Sequence, residues 1–495
     1  MSHNSIFRIT SLKLLLLTGI LITSNAIACA PDTLWTRTFG GTNYDFGKSI
    51  QETFDSGFIV VGSTVSFATR GGYDFYLIRT NSSGDTLWTR TFGEEGNDWG
   101  NSVQETSDSG FVIAGTICPN STDIYFVKTN SSGDSIWAKI FGHAGNYFDY
   151  GYSVQKTSDN GFIISGEEGN SNIYLIRTNS SGTAVWLKTF GENNSDFGNS
   201  VQETSDGGFI ITGGTTSSGT SKGDVYLTKV TSSGDVVWTK TFGGTKNDGG
   251  CSVRQTKDGG FIITGSTSSF GAGGSDVYLI KTDSSGNTLW TRTFGGTGND
   301  FSNSIQQTKD GGFIIAGSTN SFGAGGYDVY VIRTDSSGST LWTKTFGGND
   351  DDKGYSIQQT SDGGFIVAGE TYSFGAGNND VYLIRLDKET GVEEKSNIKY
   401  QKINIQIGRN PFRTSTIIHY ATPPNSDSRL SAVGGNTKLT IYDISGRCIK
   451  TLVNEQKPAG TYTAILNAKE LKAGIYFAEL KTGNYNVTKK LILMK

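Results

Sequence analysis

The chain has 495 residues, enough for two or three domains with a large buried core. Only 18% of the residues are charged, and 68 glycines stand beside 6 prolines, a composition that favours many short strands joined by tight turns over long helices. The formal net charge of −4 gives no electrostatic basis for binding nucleic acid. Three histidines and two methionines leave little material for an imidazole or soft-metal centre.

Residues 1–28 are predicted to be an export signal. Two basic residues precede a short apolar run at 14–22, and the segment ends in Ala26-Ile27-Ala28. The run is too short to be a convincing membrane span, so cleavage is expected after Ala28. Because Cys29 follows directly, a lipoprotein-type cut that acylates Cys29 and attaches the protein to the outer membrane is the alternative. The small residue Ala26 disfavours that alternative.

A unit of about fifty residues is written seven times between Asp32 and Gly391. Its landmarks are tryptophans spaced 49 to 53 residues apart: Trp35, Trp88, Trp137, Trp186, Trp238, Trp290 and Trp342. Each unit contains four short strand patterns separated by turn signals, and two of the strands are apolar on both faces. Such a meander must lie between two similar neighbours, and closing the row into a ring removes its exposed ends. We therefore predict an all-β fold, with a seven-bladed β-propeller over residues 31–387.

The phase of the repeat predicts how the ring closes. The array begins with a tryptophan strand at 33–39, which is the last strand of a unit, and it ends with a third strand at 380–385. No tryptophan strand follows that last unit. Residues 33–39 are therefore expected to complete the last blade.

The turn before each tryptophan strand carries a family resemblance. The segment Asp283-Ser284-Ser285-Gly286-Asn287-Thr288-Leu289-Trp290 resembles the tryptophan-docking motif of quinoprotein-type propellers, one residue shorter, and is similar to the Asp-box turn of sialidase-like propellers. These motifs hold blades together in those families. The resemblance implies the fold and supplies no catalytic residues.

The amino-acid sequence no longer follows the repeat after Gly391. Residues 388–402 are polar and are predicted to be a linker, and 403–495 contain about seven strand patterns, which suggests a small immunoglobulin-like β-sandwich. This stretch resembles the type A C-terminal sorting domain of the bacterial type IX secretion system, although flagellar hook-capping proteins share parts of the pattern. The residues that carry the resemblance include Asn410, Pro411, Phe412, Gly474, Tyr476, Lys489 and Lys490. It implies interaction with the secretion machinery and a secreted or outer-surface location in a Gram-negative-type bacterium.

An aspartate recurs four residues before the inner-strand serine of each unit. The set comprises Asp45, Asp98, Asp149, Asp196, Asp248, Asp300 and Asp352. A ring of carboxylates at the channel mouth could hold Ca²⁺, which prefers several oxygen ligands. The alternative, favoured by the sevenfold recurrence, is that each aspartate caps its own turn and that the protein has no cofactor.

Aromatic residues recur in the loops expected to share one face of the propeller. The candidates for ligand contact are Trp99, Tyr147, Phe148, Phe270, Phe322 and Phe374. They could stack on sugar rings or contact a protein, or they could plug the channel mouth and fix the loops. Both interpretations stay open.

The sequence favours a non-catalytic, exported, monomeric scaffold that binds a glycan or a protein through this loop face. The first alternative is a carbohydrate-active hydrolase with an acid pair on that face, and the second is a structural surface-layer component. A hydrolase would place acids where the repeat fails. Such acids are Glu94, Glu95, Glu167, Glu168 and Glu192, and they form no compelling pair.

Overall fold

The computed structural model describes residues 30–69, 71–118, 121–142, 148–169, 172–191, 195–216, 222–389, 404–407, 410–422, 436–457, 460–469, 471–482 and 485–494. The chain divides into two compact units, Met1–Gly391 and Val392–Lys495. Every regular element among the described residues is a β-strand. None of those residues lies in a helix that is long and apolar enough to cross a membrane. The predicted signal with Ala28 and Cys29, and most of the predicted linker, lie outside the described residues.

The first unit contains seven four-stranded antiparallel sheets. Strand β1 (Thr33–Phe39) belongs to the seventh sheet. The first sheet is formed by β2 (Asp45–Glu52), β3 (Phe58–Thr64), β4 (Asp74–Thr80) and β5 (Thr86–Phe92). The second is formed by β6 (Trp99–Glu105), β7 (Phe111–Ile117), β8 (Asp123–Thr129) and β9 (Ser135–Phe141). The third is formed by β10 (Tyr150–Lys156), β11 (Phe162–Glu168), β12 (Asn172–Thr178) and β13 (Ala184–Phe190).

The remaining sheets repeat this order. The fourth is formed by β14 (Asp196–Glu203), β15 (Phe209–Thr215), β16 (Asp224–Val230) and β17 (Val236–Phe242). The fifth is formed by β18 (Asp248–Gln255), β19 (Phe261–Thr267), β20 (Asp276–Thr282) and β21 (Thr288–Phe294). The sixth is formed by β22 (Asp300–Gln307), β23 (Phe313–Thr319), β24 (Asp328–Thr334) and β25 (Thr340–Phe346). The seventh adds β26 (Asp352–Gln359), β27 (Phe365–Thr371) and β28 (Asp380–Leu386) to β1.

The seventh sheet combines the two ends of the repeat array. Its strand order is β1-β28-β27-β26, and β1 pairs antiparallel with β28 so that Phe39 lies opposite Val381. The segment before β1 is tied down as well, because Asp387 N donates to Asp32 O at 2.9 Å and Lys344 Nζ donates to Pro31 O at 2.7 Å. The N-terminal strand therefore supplies the fourth strand of the last sheet.

Adjacent sheets bury their apolar faces against each other. Strands β23 and β24 are buried along their whole length, as expected for strands that are apolar on both faces. Ile262, Val277 and Leu279 of the fifth sheet form one core cluster with residues of the sixth sheet, among them Phe313 and Ile332. The core between the sheets is therefore formed by the strands that the sequence predicted to be apolar on both faces.

Side chains of the inner strands close the ring. In most sheets a serine Oγ or a glutamine Oε1 accepts a backbone N–H from the inner strand of the next sheet. The first sheet receives the same contacts from the seventh, since Ile50 N donates to Ser356 Oγ at 3.3 Å and Glu52 N to Gln358 Oε1 at 2.7 Å. A closed ring of four-stranded meanders is a β-propeller.

The tryptophans pack between sheets, as predicted. Trp290 of the fifth sheet meets Phe313 of the sixth at 6.1 Å between ring centroids. Its Cζ3 atom lies 2.7 Å from where a Cβ of Gly338 would stand, so the turn of the sixth sheet accepts only glycine there, with φ at 79°. The Asp-x-x-Gly turn and the tryptophan are thus two halves of one inter-sheet contact.

The inner strands begin earlier than their apolar pattern predicts. In the sixth unit the pattern indicates a strand from Ser304, whereas β22 begins at Asp300. Its register shifts between Ser302 and Ser304, which is a β-bulge, and every inner strand has a shift at the same position. The bulge hides the strand period from the sequence because it inserts one residue into the alternation.

The second unit contains β29 (Asn404–Ile407), β30 (Ser415–Thr422), β31 (Asn436–Asp443), β32 (Cys448–Gln456), β33 (Gly460–Asn467), β34 (Gly474–Thr482) and β35 (Tyr485–Leu493). Its sheets have the orders β29-β30-β33 and β32-β31-β34-β35. Ile418 and Leu466 from the first sheet share one buried cluster with Leu439, Ile441 and Leu480 from the second. The unit is therefore a separate β domain of two sheets around one core.

Candidate functional site

The loops between the second and third strands carry half-exposed phenylalanines in four sheets that are adjacent around the ring. We call Phe67, Phe270, Phe322 and Phe374 the aromatic arc; they belong to the first, fifth, sixth and seventh sheets, and their exposed fractions are 45%, 45%, 46% and 46%. Three of them are predicted ligand contacts. Phe67 was not predicted, although its Ser-Phe followed by Gly-Gly is the available signal.

Each arc residue is held from two sides. Phe322 N donates to Thr319 Oγ1 at 3.3 Å, and its ring packs on Tyr330 at 5.8 Å. The other three make the same two contacts. The phenyl groups are thus positioned by the scaffold while one side of each stays open.

The other predicted aromatic contacts lie on different sheets. Trp99 begins β6 and is half-buried. Phe148 is 58% exposed and forms a parallel bridge with Thr122. Tyr147 lies outside the described residues. These positions are separate members of the loop face and carry no Ser-Phe-Gly loop.

Five of the seven recurring aspartates cap their own turns. Asp300 Oδ2 accepts Gly296 N at 2.9 Å and Ser321 Oγ at 2.7 Å, and the carboxylate is fully buried. Equivalent turn contacts are made by Asp45, Asp98, Asp248 and Asp352, and Asp149 accepts Gly169 N. Asp196 is also buried. Over the part of the chain that the structure describes, no group of three or more acidic, cysteine or histidine residues could hold a metal ion. Calcium binding stays an untested expectation.

At most caps a second recurring acid approaches from the neighbouring sheet, whereas the third sheet has Asn172 at that position. Both Asp276 Oδ1 and Asp300 Oδ2 would collide with a Cβ at Gly295, which explains why glycine follows the phenylalanine of each outer strand. Burial, and then the charge of Asp300, raise the pKa of Asp276. The sequence showed the two acids separately, because their proximity depends on how adjacent sheets dock.

The central channel is a polar cavity of about 230 Å³. The inner strands line it, mainly with the Ser-x-Gln positions of the repeat. The fifth sheet breaks this pattern, since Arg254 occupies the glutamine position. Its Nη1 donates to Val253 O at 2.8 Å, and burial lowers its pKa.

The repeat also varies at the β-bulge of the inner strands. The variable residue is the one that follows the Asp-x-Gly or Asp-x-Ser element. Three asparagines at this position donate to the next sheet: Asn101, Asn199 and Asn303. The first sheet instead has Lys48, whose Nζ lies 3.3 Å from the centroid of the Tyr355 ring. Burial lowers the pKa of Lys48 to about 8, although the carboxylate of Glu370 opposes that fall.

Glu370 is at the centre of the contacts around Lys48 and Tyr355. It accepts Tyr355 OH at 2.8 Å and Asn379 Nδ2 at 3.0 Å, and it lies 3.4 Å from Lys353 Nζ. In the third sheet Glu167 accepts Tyr152 OH at 3.1 Å in the same arrangement. A glutamate therefore accompanies each inner-strand tyrosine at this position.

Three of the acids considered for the hydrolase alternative make structural contacts. Glu167 is engaged by Tyr152, and Glu168 accepts Asn172 Nδ2 at 3.2 Å. The backbone N–H of Glu94 donates to Asp98 Oδ2 at 2.7 Å. Glu192 lies outside the described residues.

The predicted sorting residues dock on the final strand of the second unit. Asn410 Nδ2 donates to Lys490 O and Asn410 Oδ1 accepts Ile492 N, both at 2.8 Å. Phe412 is fully buried and bridges to Leu493, while Pro411 precedes it in the same turn. Gly474 begins β34, and Tyr476 OH donates to Lys472 O at 2.8 Å. Lys489 and Lys490 on β35 are exposed.

The first unit is thus a β-propeller. The second is a separate β domain, in which the turn at 410–412 is hydrogen-bonded to the last strand. Residues 410–494 match the family model described as Secretion system C-terminal sorting domain. The resemblance read from the sequence is confirmed. The protein carries a sorting domain of the type IX secretion system and is a secreted or cell-surface propeller protein.

The other similarities are distant or cover little of the chain. PorZ of Porphyromonas gingivalis, a surface component of the type IX secretion system, is 12% identical, with a TM-score of 0.40 over 92% of this chain and 60% of that one. The lectin BP39L of Burkholderia pseudomallei is 8% identical, with a TM-score of 0.48 over 70% of this chain and 97% of that one. The regulatory protein FlaEY of Caulobacter vibrioides is 32% identical over 114 residues, which span 20% of this chain and 12% of that protein.

Proposed function

We propose that this protein is a non-catalytic propeller, displayed at or released from the cell surface, that binds a glycan through the aromatic arc. The observation that carries the proposal is the repetition of a half-exposed, doubly anchored phenylalanine at one loop position in four adjacent sheets. A protein ligand is the alternative that the sequence leaves open.

The chemistry of the loop face fits a sugar. The apolar faces of sugar rings stack on aromatic rings, and the arc residues stand in loops rich in glycine, serine and asparagine, whose polar groups suit hydroxyls. Because the backbone N–H of each arc residue is bonded to a threonine and its ring packs on a tyrosine, binding would lose little side-chain entropy. Repetition around the ring also provides several equivalent contacts for a repeating polymer.

A glycan array with the secreted chain, followed by calorimetry on the best ligand, tests the proposal. Phe270→Ala, Phe322→Ala and Phe374→Ala together should weaken binding at least tenfold, because the stacking surfaces are removed. Phe54→Ala is the matched control, since Phe54 is 74% exposed but lies in the β2–β3 hairpin at the opposite end of the strands. Unchanged glycan affinity in the triple variant would contradict the proposal.

A general glycosidase assay on the same preparation distinguishes the enzyme alternative. The proposal expects no turnover. Robust hydrolysis that survives the triple arc substitution would instead support a hydrolase whose acids lie elsewhere.

A further inference from the structure

The glutamines of the inner strands all use the same atom to bridge to the next sheet. Oε1 of each accepts a backbone N–H at 2.5 to 2.7 Å, and the set comprises Gln51, Gln104, Gln155, Gln202, Gln306 and Gln358. Five of them line the channel. Because their oxygens are engaged, the amide N–H groups are the part of these side chains left for a ligand, and the channel wall is rich in donors.

Arg254 adds a positive charge to this wall. A guanidinium has five N–H donors and no acceptor, so Arg254 cannot receive the N–H of Gln307 as a glutamine at its position would. Where the structure describes the chain, the hydrogen bond of Arg254 is to the neighbouring Val253 O, and no carboxylate lies within ion-pair distance of it. A partly buried cation without a counter-ion is costly, and a bound anion would remove that cost.

We propose that the central channel binds a small oxyanion at Arg254, either a free phosphate, sulfate or carboxylate or such a group at the end of a larger ligand. The guanidinium presents two parallel donors to the oxygens of such a group. Channel glutamine amides, for example those of Gln51 and Gln306, supply further donors. A cavity of about 230 Å³ has room for one such group and a few waters. The site does not use the aromatic arc and is independent of the proposed function.

The repeat itself provides the variant that tests this site. Arg254→Gln gives the fifth sheet the glutamine that the other six sheets have at this position. It also restores an acceptor for Gln307 N. It should therefore fold and melt at least as well as the wild type. Arg254→Lys keeps the positive charge but loses the two parallel N–H donors of the guanidinium. Arg413→Gln is the matched control, because it removes one exposed arginine from the other unit.

Calorimetric titration of the full secreted chain with inorganic phosphate, sulfate and acetate measures the binding. The wild type and Arg413→Gln should bind at least one of these anions with a stoichiometry of one, and affinity should fall as chloride is raised. Arg254→Gln should lose at least tenfold in affinity, with Arg254→Lys in between. Absence of binding by the wild type, or equal affinity in folded Arg254→Gln, would overturn the proposal. A preference for phosphate and sulfate over acetate, or the reverse, would identify the class of oxyanion that the site takes.

Discussion

At the scale of single residues, a propeller of near-identical sheets separates two kinds of side chain. Residues that recur in every unit serve the contacts that every unit makes, such as the aspartate caps. Residues that differ from their six counterparts cannot be explained by those contacts. Lys48 and Arg254 are of the second kind, and both lie on the inner strands. They are the positions where individual chemistry can be tested without disturbing the scaffold.

Lys48 is expected to be unusually reactive. Its pKa of about 8 leaves a substantial neutral fraction at pH 8, and only the neutral amine is acylated. Peptide mapping after brief labelling with an amine-reactive ester should show half-maximal modification of Lys48 near pH 8. Glu370→Gln should lower that midpoint further, because the carboxylate holds the ammonium in its charged form. A midpoint above pH 10 in the wild type would show that burial does not control this lysine.

The same lysine has a stability consequence with a definite sign. The folded pKa lies below the ordinary value of 10.5, so between about pH 8 and 10.5 the unfolded chain binds the proton that the folded chain has released. Stability contributed by this site therefore rises with pH across that window. Lys48→Met should remove the rise, as measured by urea unfolding at pH 8 and pH 10.

The hairpin aspartates predict an acid-sensitive step. Asp206 accepts Thr204 Oγ1 and pairs with the buried Lys229 at 3.0 Å. The Thr204 hydrogen bond and then Lys229, with burial opposing them, lower the pKa of Asp206 to about 2. The stabilisation is therefore present above pH 4 and is lost as the pH falls towards 2.

Asp206→Asn should reduce the free energy of unfolding by about 1–2 kcal/mol at pH 7, because it leaves the buried Lys229 ammonium without its counter-ion. The loss stays small because the Asp206 carboxylate is largely exposed and its charge is screened by solvent. The difference from the wild type should shrink as the pH falls through 2, because the Asp206 carboxyl then becomes protonated in the folded chain as well. A constant difference across that range would mean that packing, not charge, is responsible.

At the scale of the strand, the outer tryptophans connect one sheet to the next. Trp290 is half-buried, whereas Trp342 is only 6% exposed because its indole N–H donates to Glu389 Oε1 at 2.7 Å and Ala30 packs on the same cluster. The strand period predicted that these rings face a neighbour. The difference in burial depends on the segments at the two ends of the array.

Trp290→Ala should cost about 3 kcal/mol of unfolding free energy, and Trp342→Ala about 5 kcal/mol, because more surface is lost at the second site. Leu289→Ala is the control, since Leu289 is 57% exposed in the same strand and should change stability by less than about 0.5 kcal/mol. Urea unfolding followed by tryptophan fluorescence and circular dichroism measures all three. An inverted order of the tryptophan variants would contradict this account.

Strand β1 allows a test of how the ring is closed. Deleting residues 31–40 removes the partner of β28 and leaves its last sheet with an open edge. We expect a clearly lower melting midpoint for the whole propeller, since the sheets support one another. A truncated chain with an unchanged midpoint would show that the ring does not depend on this strand.

At the scale of the whole molecule, the two units have separate tasks, since the propeller presents a face and a channel while the C-terminal domain directs export. Deleting residues 410–494 should leave a folded propeller that accumulates in the periplasm. Cell fractionation with antibodies against the propeller measures this. Surface exposure of the truncated chain would show that the sorting domain is dispensable.

The amino-acid sequence by itself determined the all-β class, the repeated four-strand unit, the role of the tryptophans and the sorting domain. These are properties of local alternation, of a period of about fifty residues and of short motifs, all of which can be read along one chain. Only the tertiary structure decided which repeated residues meet. Asp276 and Asp300 come together across two sheets, the β-bulge turns Lys48 out of the strand alternation, and Arg254 faces a ring of engaged glutamines. Contacts of this kind depend on the angle and register at which sheets dock, and no local pattern encodes them.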